Sequence, residues 1–422
     1  MAHGSPATAD FPTHLSVEDA RARIVAWCAA REHVVQGAFE RVPLEQALQR
    51  VLAADLVAPH DQPPFANSAM DGYALAATDL PRDGERRLRV VARIFAGDPA
   101  GSALAGGECA AIMTGAPLPP GADTVVIRED VRVEGDDVVI PAGARGGAHV
   151  RPAGEDFRRG EIALRAGTRL APAHLGVLAA CGQAEVAVAR LPRVALFVTG
   201  DELVPPAEPL PPGCIHDSNR YSLGGLLRDA GVEPAPVAHL RDDPAVLRAA
   251  LRDAAARCDL VISSGGVSAG DADHLPRLLA ELGETLFWKV RMKPGMPVLC
   301  GRIGDALLLA LPGNPVSSMA TFELFVRPAL CALQGAPVAP LDGRFARLDG
   351  EVDKRHARAE FLRARADWRG DGACWVTPLA RQGSGMLRGM AEADVLIALP
   401  EAPCAYARGD TVRILPLPGF AR

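Results

Sequence analysis

The first part of the chain changes from helical to β-like spacing of its hydrophobic residues. Over residues 15–58 apolar side chains recur at helical intervals, and Ser16 stands where the first helix would need an N-cap. A second helical pattern runs over residues 43–52. Residues 62–165 instead contain frequent Gly and Pro and short apolar runs, at 88–95, 124–127 and 137–140. The spacing predicts helices followed by a small β-rich domain.

The middle of the chain alternates short apolar runs with helical patterns. The apolar runs cover residues 194–199, 234–240, 260–264, 286–292 and 306–311, and the helical patterns cover 220–230, 244–258, 273–282 and 315–333. Strands that alternate with helices indicate βαβ units and a doubly wound, mostly parallel sheet. Such a sheet binds ligands beyond the carboxyl ends of its strands. Residues 342–419 return to short β-like runs, for example 395–399 and 411–415.

Composition and charge remove several functional classes. Hydrophobic residues make up 49% and charged residues 23% of the 422 positions, as in ordinary globular proteins. The formal net charge of −6 gives no general attraction to nucleic acid, so an anion site would have to be local. The nine cysteines form no C-x-x-C or Cys/His cluster, which argues against a zinc site or a disulfide framework. No signal-peptide pattern or membrane-spanning apolar run occurs, so we expect a cytoplasmic protein without membrane or nucleic-acid partners.

Lysine is rare in this chain, and two of its three lysines lie in one short segment. Lys289 and Lys293 stand four apart within residues 285–293, and the third is Lys354. In an extended strand Lys289, Arg291 and Lys293 would share one face, ahead of a Pro-Gly turn. A lysine ammonium is a compact charge suited to phosphate or an oxyanion. The segment is therefore a candidate anion receiver, and a solvated edge strand protected by its charges is the alternative.

A Gly-rich loop follows the apolar run 260–264, where the predicted sheet would place a ligand. It contains Gly265, Gly266, Ser268 and Gly270, and its backbone N–H groups could approach a phosphate closely. The loop matches neither the G-x-G-x-x-G fingerprint nor a Walker A motif, so by itself it is only a weak indication of phosphate binding.

Carboxylates on this loop and its neighbours point to a cation. Asp273 leaves the Gly-rich loop, and Glu202 and Asp242 follow two other predicted strands. These charges would repel phosphate unless Mg²⁺, bridged by phosphate oxygens, lay between them. Structural roles are the alternative, and Asp243 before Pro244 is most simply a helix N-cap. The residues thus predict a nucleotide-like or phosphorylated ligand, a divalent cation and a second anion held by lysines.

A series of motifs in one order carries a family resemblance. The motifs are Asn67-Ser68-Ala69-Met70-Asp71-Gly72-Tyr73-Ala74, Met113-Thr114-Gly115-Ala116-Pro117, Arg151-Pro152-Ala153-Gly154-Glu155-Asp156, Asp217-Ser218-Asn219, Gln382-Gly383-Ser384-Gly385-Met386, and the segments 199–203, 263–273, 292–295 and 311–317. Over essentially residues 15–418 the chain resembles the molybdopterin molybdenumtransferases of the MoeA and gephyrin E-domain family.

This resemblance implies a reaction and an assembly. Enzymes of the family take adenylylated molybdopterin and molybdate, release AMP in a Mg²⁺-dependent step, and insert molybdenum at the dithiolene. They are elongated homodimers of four-domain subunits, with the active site between subunits. Transient contact with a molybdopterin adenylyltransferase is also expected.

By resemblance, the candidate residues fall into four groups. Those of the β-rich domain that reach the partner's cleft are Asp71, Thr114, Arg151 and Asp156. Those for the nucleotide and its metal are Glu202, Asp242, Ser268 and Asp273, beside Gly265, Gly266 and Gly270. Those for the pterin and anion are Lys289, Lys293, Pro312 and Pro315. Those that match the molybdate pocket are Lys293, Ser317, Arg358 and Ser384. The catalytic candidates are Asp71, Thr114, Glu202, Asp242, Asp273, Lys289 and Lys293, and the Mg²⁺ ligands are Asp242, Asp273 and Glu202.

Local alternatives remain for some of these positions. Asp71 and Thr114 each precede a glycine and could simply form turns. Arg358 begins an alternating run and could be an exposed strand residue.

One position departs from the family pattern Met-Lys-Pro-Gly-Lys-Pro. Met296 stands where the second lysine is often found. Loss of one positive charge near molybdate in a partly buried site is worth about 1–2 kcal/mol, so weaker molybdate binding is expected. Arg291 or Arg302 could compensate.

Together these features predict a multidomain α/β plus β architecture. A central doubly wound α/β domain of the molybdopterin-binding type is expected at 192–338, a small β-rich domain at 61–157 and a C-terminal β domain at 339–422. Residues 15–60 and 158–191 would form a discontinuous helical and linker region, with 15–38 a candidate for packing on the α/β domain.

Two other functions fit parts of the chain. A molybdopterin adenylyltransferase would need only the α/β domain and would leave the other regions unexplained. A gephyrin-like, non-catalytic scaffold would need a partner-binding surface rather than a full set of charged cleft residues. The transferase is the main prediction because it uses all regions.

Overall fold

The computed structural model describes residues 11–31, 34, 38–267, 274–341, 343–370 and 372–419. Within them, helices and strands alternate in the middle of the chain, whereas the parts on either side are rich in β-strands. The predicted fold class, a central α/β unit combined with β-rich units, is confirmed. No helix among these described residues has the length and apolarity needed to cross a bilayer.

Seven strands of the described chain form a central sheet. Their order is Thr13–Leu15, Glu284–Val290, Leu299–Ile303, Ala306–Leu311, Leu260–Ser264, Val194–Thr199 and Val237–Leu240. Four of the neighbouring pairs are parallel, and Leu299–Ile303 runs antiparallel to both of its neighbours. The sheet is therefore mostly parallel, as predicted.

Helices cover both faces of the central sheet because its inner strands are apolar at successive positions. Leu196 belongs to the core on one face and its neighbour Ala195 to the core on the other, since successive strand residues point in opposite directions. On the first face lie Val17–Ala29, Asn219–Asp229, Pro315–Thr321 and Arg327–Ala332, the last two joined by the π-helical turn Phe322–Val326. On the second face lie Pro244–Ala255 and Leu275–Leu282.

A second sheet is formed by the β-rich part of the chain. Its described strands are, in order, Thr124–Ile127, Gly72–Leu75, Glu108–Ile112, Glu85–Ile94, Asp137–Pro141 and Arg132–Glu134. A separate two-stranded pair joins Asn67–Ser68 to Val150–Arg151. The predicted apolar runs at 88–95, 124–127 and 137–140 all lie on strands of this sheet.

The C-terminal strands close into a barrel. Their order is Met292–Lys293, Ala359–Trp368, Cys374–Pro378, Phe345–Leu348, Thr411–Pro416 and Val395–Leu399, and Ala359–Trp368 also pairs with Val395–Leu399. The pair Val352–Lys354 with Cys404–Tyr406 and the short helix Arg388–Ala391 lie in the same part of the chain. Met292–Lys293 belongs to the α/β part of the sequence, so this two-residue strand ties the barrel to the central unit.

A small unit with its own apolar core is built from two separate stretches of chain. Phe39–Pro43 pairs with Glu185–Ala189, and Leu56–Val57 pairs with Ile162–Leu164. Helix Pro172–Ala180 contributes Leu178 to the shared core.

The predicted helix over residues 43–52 is wrong. All of these residues are described, and their helical part is the single 3₁₀ turn Leu44–Gln46. Val51 and Leu52 instead form β-bridges to Arg169 and Val188. Both side chains are buried, so pairing with distant strands overrides the local helical spacing of the apolar residues.

Candidate active site

A cleft of about 440 Å³ lies at the carboxyl edge of the central sheet. It is lined by the loops that follow the strands Val194–Thr199, Leu260–Ser264 and Ala306–Leu311, which is where a doubly wound sheet holds its ligands. Of the predicted residues, the cleft brings together Glu202, Asp242, Gly265, Gly266, Pro312 and Pro315. Ser268, Gly270 and Asp273 lie outside the described residues.

Two glycines let the backbone pass close to the first strand. Gly265 has a φ of +102°, and a Cβ there would lie 2.7 Å from the carbonyl oxygen of Thr199. Gly266 also has a positive φ, of +67°. The Gly265 N–H donates to the carbonyl of Leu311 over 3.0 Å, so this predicted phosphate donor is already engaged in holding the loop to the neighbouring strand.

Buried polar atoms in the cleft are left without partners among the described residues. Thr199 Oγ1 and Asn219 Oδ1 are both of this kind. The Asn219 amide nitrogen donates to Ser264 Oγ over 2.9 Å and to the carbonyl of Gly313 over 2.7 Å. Buried polar groups are nearly always paired in native proteins. The unpaired oxygen atoms therefore favour a polar ligand in this cleft.

Asp242 and Glu202 line the cleft, and Asp201 lies next to Asp242. The Asp242 N–H donates to Asp201 Oδ1 over 3.3 Å. Partial burial raises the pKa of Asp242, and the negative charges of Asp201 and Glu202 raise it further. A bound cation would relieve this repulsion, and oxygen ligands of this kind suit Mg²⁺. Among the described residues, no cluster of three His, Cys, Asp or Glu side chains is close enough to hold a metal, so the predicted Mg²⁺ ligands stay a prediction.

The aspartate next to this group has a structural role. Asp243 Oδ1 accepts hydrogen bonds from the N–H groups of Ala245 and Val246, over 2.7 and 3.1 Å. These two N–H groups also lower the pKa of its carboxyl. The N-cap expected at Asp243 is confirmed.

The prediction that Lys289, Arg291 and Lys293 share one strand face is wrong. The strand ends at Val290, and Lys289 has a φ of +67° with its ammonium 4.5 Å from the ring centre of Trp288. Arg291 Nε lies 2.8 Å from a carboxylate oxygen of Glu401. Lys293 belongs to the barrel instead, paired in register with Glu360. Because the chain leaves one sheet for another here, the alternation of faces is broken.

Backbone contacts bring together the four segments of the predicted anion pocket. The N–H of Val316, next to Ser317, donates to the carbonyl of Ser384 over 3.1 Å. Gly295, two residues after Lys293, lies against the same helix, because a Cβ there would meet Thr321 Cγ2 at 2.6 Å.

The fourth segment joins through the barrel. The N–H of Ala359, next to Arg358, donates to the carbonyl of Arg291 over 2.9 Å. Arg358 itself is half-buried and has no ion pair among the described residues. A half-buried guanidinium without a counterion is suited to an oxyanion.

The four predicted residues of the β-rich part lie apart from this cleft. Both the N–H and the hydroxyl of Thr114 donate to Asp71 Oδ1 over 2.8 Å. These bonds, the backbone one first, lower the pKa of the exposed Asp71 carboxyl. Arg151 is exposed on its short strand, and the Asp156 N–H donates to the carbonyl of Gln62 over 2.9 Å. None of the four is among the described residues that line the cleft.

Three family models match consecutive parts of the chain. They are the MoeA N-terminal region (domains I and II) at residues 15–182, a probable molybdopterin binding domain at 195–332, and the MoeA C-terminal region (domain IV) at 346–417. A molybdopterin molybdenumtransferase of Haemophilus influenzae is 34% identical over 382 residues, which cover 89% of this chain and 93% of the relative. Molybdopterin molybdenumtransferase 2 of Mycobacterium tuberculosis is 38% identical over 384 residues, which cover 88% and 94%.

The chain belongs to the MoeA family. A solved MoeA structure from Pyrococcus horikoshii supports the assignment at the level of the fold. It superimposes with a TM-score of 0.81 at 29% identity, covering 96% of this chain and all of the other. The family resemblance predicted from the motifs is therefore confirmed.

A buried arginine that was not predicted holds the loop that carries the candidate residue Ser384. Arg363 is 1% exposed. Its guanidinium donates to the carbonyls of Met386, Arg381 and Gly383 over 2.9, 2.8 and 3.1 Å. Burial lowers the pKa of Arg363. The residue holds the loop that carries Ser384, and nothing in the alternation of its strand distinguishes it from an exposed arginine.

Proposed function

We propose that this protein inserts molybdenum from molybdate into adenylylated molybdopterin and releases AMP, as a step of molybdenum cofactor biosynthesis. The observation that carries the proposal is that one helix links the cleft to the segments that carry the candidate molybdate residues. The cleft at the carboxyl edge of the central sheet has unpaired polar atoms suited to a nucleotide-like ligand. The helix Pro315–Thr321 begins at this cleft and bears Ser317 of the anion pocket.

The proposed roles follow from charge and hydrogen-bonding capacity. Molybdate is a dianion, and we assign it to Arg358 and Lys293, with the hydroxyls of Ser317 and Ser384 as donors that add no charge. Arg358 could hold two oxygens at once because its guanidinium is planar. The buried position of Ser317, which is 3% exposed, would keep water away from one side of the anion.

The carboxylates are proposed to serve the phosphate side. Bound Mg²⁺ would offset the charge that develops on phosphate oxygens as the AMP leaves. Asp242 and Glu202 would hold it, together with Asp273. The raised pKa of Asp242, caused by partial burial first and by Asp201 and Glu202 next, supports this role, because a bound cation would stabilise the charged carboxylate.

We also propose that the active site is completed by a second copy of the chain. Asp71, Thr114, Arg151 and Asp156 do not line the cleft of their own chain among the described residues, yet Asp71 Oδ1 accepts two hydrogen bonds from Thr114. An exposed carboxylate positioned by two hydrogen bonds, directly before a strand of a separate sheet, is suited to entering the cleft of a partner. In the predicted homodimer, Asp71 of one copy would enter the cleft of the other. The central sheet, the second sheet and the barrel would each form a separate domain.

The test is incubation of the purified protein with adenylylated molybdopterin, Mg²⁺ and molybdate, with AMP measured over time. AMP release that depends on both ions supports the proposal. Turnover of ATP and molybdopterin without any effect of molybdate would instead indicate an adenylyltransferase. No turnover with either substrate pair would favour a scaffold. Nine free thiols are compatible with a reducing cytoplasm, where we place the reaction.

A further inference from the structure

A buried glutamate forms an ion pair with the lysine of the proposed anion pocket. Lys293 Nζ lies 2.7 Å from Glu360 Oε1, and the two residues are direct partners in a parallel strand pair. The side chain of Glu360 is 9% exposed, whereas that of Lys293 is 47% exposed. The lysine can therefore swing toward solvent or a ligand, while the carboxylate of the glutamate stays inside the protein and has room only for small rotations. Molybdate and Glu360 would compete for the same positive charge.

A histidine lies on the other side of this carboxylate. His356 Nε2 is 3.2 Å from Glu360 Oε2. Both ring nitrogens of His356 are buried and make no hydrogen bond with the part of the chain that the structure describes. A buried, unpaired ring nitrogen beside a carboxylate oxygen is unusual, because such groups are normally satisfied. A small rotation of the carboxylate would turn this 3.2 Å contact into a hydrogen bond.

Two other cationic groups near the pair, Lys354 and Arg291, are already engaged, whereas Arg358 has no ion pair among the described residues. Lys354 Nζ donates to the carbonyls of His356, Glu401 and Ala402, over 2.6, 2.9 and 2.9 Å. Arg291 pairs with Glu401. Within the described residues, Glu360 is therefore the carboxylate that lies within ion-pair distance of both Lys293 and His356, and its contact with His356 lacks hydrogen-bond geometry.

We propose that Glu360 is a positioning residue for molybdate binding, and that His356 receives its carboxylate when Lys293 turns to the anion. The inference rests on the proposed function. In the free protein Glu360 holds Lys293 and lowers the positive charge of the pocket. In the bound state a dianion and a carboxylate on one ammonium would repel each other. The hydrogen bond to His356 draws the carboxylate away and leaves the lysine to the molybdate.

The test measures molybdate affinity directly, by calorimetric titration of the full-length protein, alongside the molybdate dependence of AMP release. In Glu360→Gln the dissociation constant is expected to fall on the order of three- to tenfold, because a negative charge near the dianion is removed. His356→Phe should raise it, since the carboxylate then stays on Lys293. In the double variant His356→Phe should have no further effect. Glu360→Asp keeps the negative charge and should therefore bind molybdate more weakly than Glu360→Gln, with an affinity close to that of the wild type.

Glu392→Gln is the matched control, because it removes a carboxylate that pairs with Arg388 and Arg365 on the barrel. It should leave molybdate affinity unchanged. Tighter binding is a result that damaged packing does not produce, so it separates positioning from a structural role. Unchanged or weaker binding in Glu360→Gln, or an undiminished effect of His356→Phe in the double variant, would overturn the inference. So would the absence of molybdate binding by the wild type, whereas binding without AMP release would reject only the proposed function.

Discussion

Replacing Arg363 by Lys should loosen the loop that carries Ser384 and weaken molybdate binding. The guanidinium spans three backbone carbonyls, those of Arg381, Gly383 and Met386. A lysine ammonium is a single point and cannot reach all three. The substitution keeps the charge and changes the geometry, so its effect reports on the anchoring of the loop.

The magnitude can be worked from the hydrogen bonds lost. Net hydrogen bonds to charged groups contribute about 1.5–3 kcal/mol each, and a buried carbonyl left unpaired costs a comparable amount. Arg363→Lys would lose two of the three carbonyl contacts. Allowing for partial rearrangement, we expect the free energy of unfolding to fall by about 3–4 kcal/mol.

Urea unfolding followed by tryptophan fluorescence measures the stability, and limited proteolysis reports on residues 381–386. Molybdate titration should show a higher half-saturation concentration. Arg365→Lys is the matched control, because Arg365 lies two residues along the same strand, is exposed and pairs with Glu392. The control should change stability by less than about 0.5 kcal/mol. If Arg363→Lys loses no more stability than the control, and residues 381–386 stay protected from proteolysis, the anchoring role is wrong.

Three further outcomes are expected. Asp242→Asn should abolish Mg²⁺-dependent AMP release yet make the fold less sensitive to pH. The raised pKa of Asp242 means that its favourable contribution to the free energy of unfolding is present at low pH and is lost as pH rises through the folded-state pKa. AMP assays and urea unfolding at pH 4 and 7 check both expectations. Wild-type activity of the variant at limiting Mg²⁺ would contradict the role. Met296→Lys should lower the molybdate concentration for half-maximal AMP release about fivefold, equivalent to about 1 kcal/mol of binding free energy, with less change in the rate at saturating molybdate. An unchanged half-saturating concentration would show that Arg291 or another cation already fills that role. Mixed Asp71→Ala and Asp242→Asn subunits should regain activity that neither homodimer has, because one hybrid cleft keeps both carboxylates; sedimentation that shows an active monomer would rule this out.

The strands of the central sheet are the part of the fold best predicted from sequence. The runs 194–199, 260–264 and 306–311 agree with the strands in the structure. Their residues are apolar in succession because both faces are covered by helices, and a buried parallel strand leaves few alternatives for such a run. The cleft follows from these strands, since its residues are the next ones along the chain.

The misplaced elements share a different cause. Residues 43–52 and 285–293 owe their conformations to partners far away in sequence, namely Val188 for Leu52 and Glu360 for Lys293. Local spacing carries no information about such partners. Arg363 was missed for the same reason, because what distinguishes it from Arg365 is a loop some 20 residues later.

The two-residue strand Met292–Lys293 has a consequence for how the protein matures. The chain emerges from the ribosome in order, so the strands of the central sheet are complete once residue 311 is available. At that moment Met292–Lys293 has no partner, because Ala359–Trp368 has not yet been made. Arg358 and Ser384 are also still to come. The strands that position the proposed nucleotide cleft would thus be made before the proposed molybdate pocket can assemble, and the exposed strand edge would be sealed only when the barrel closes.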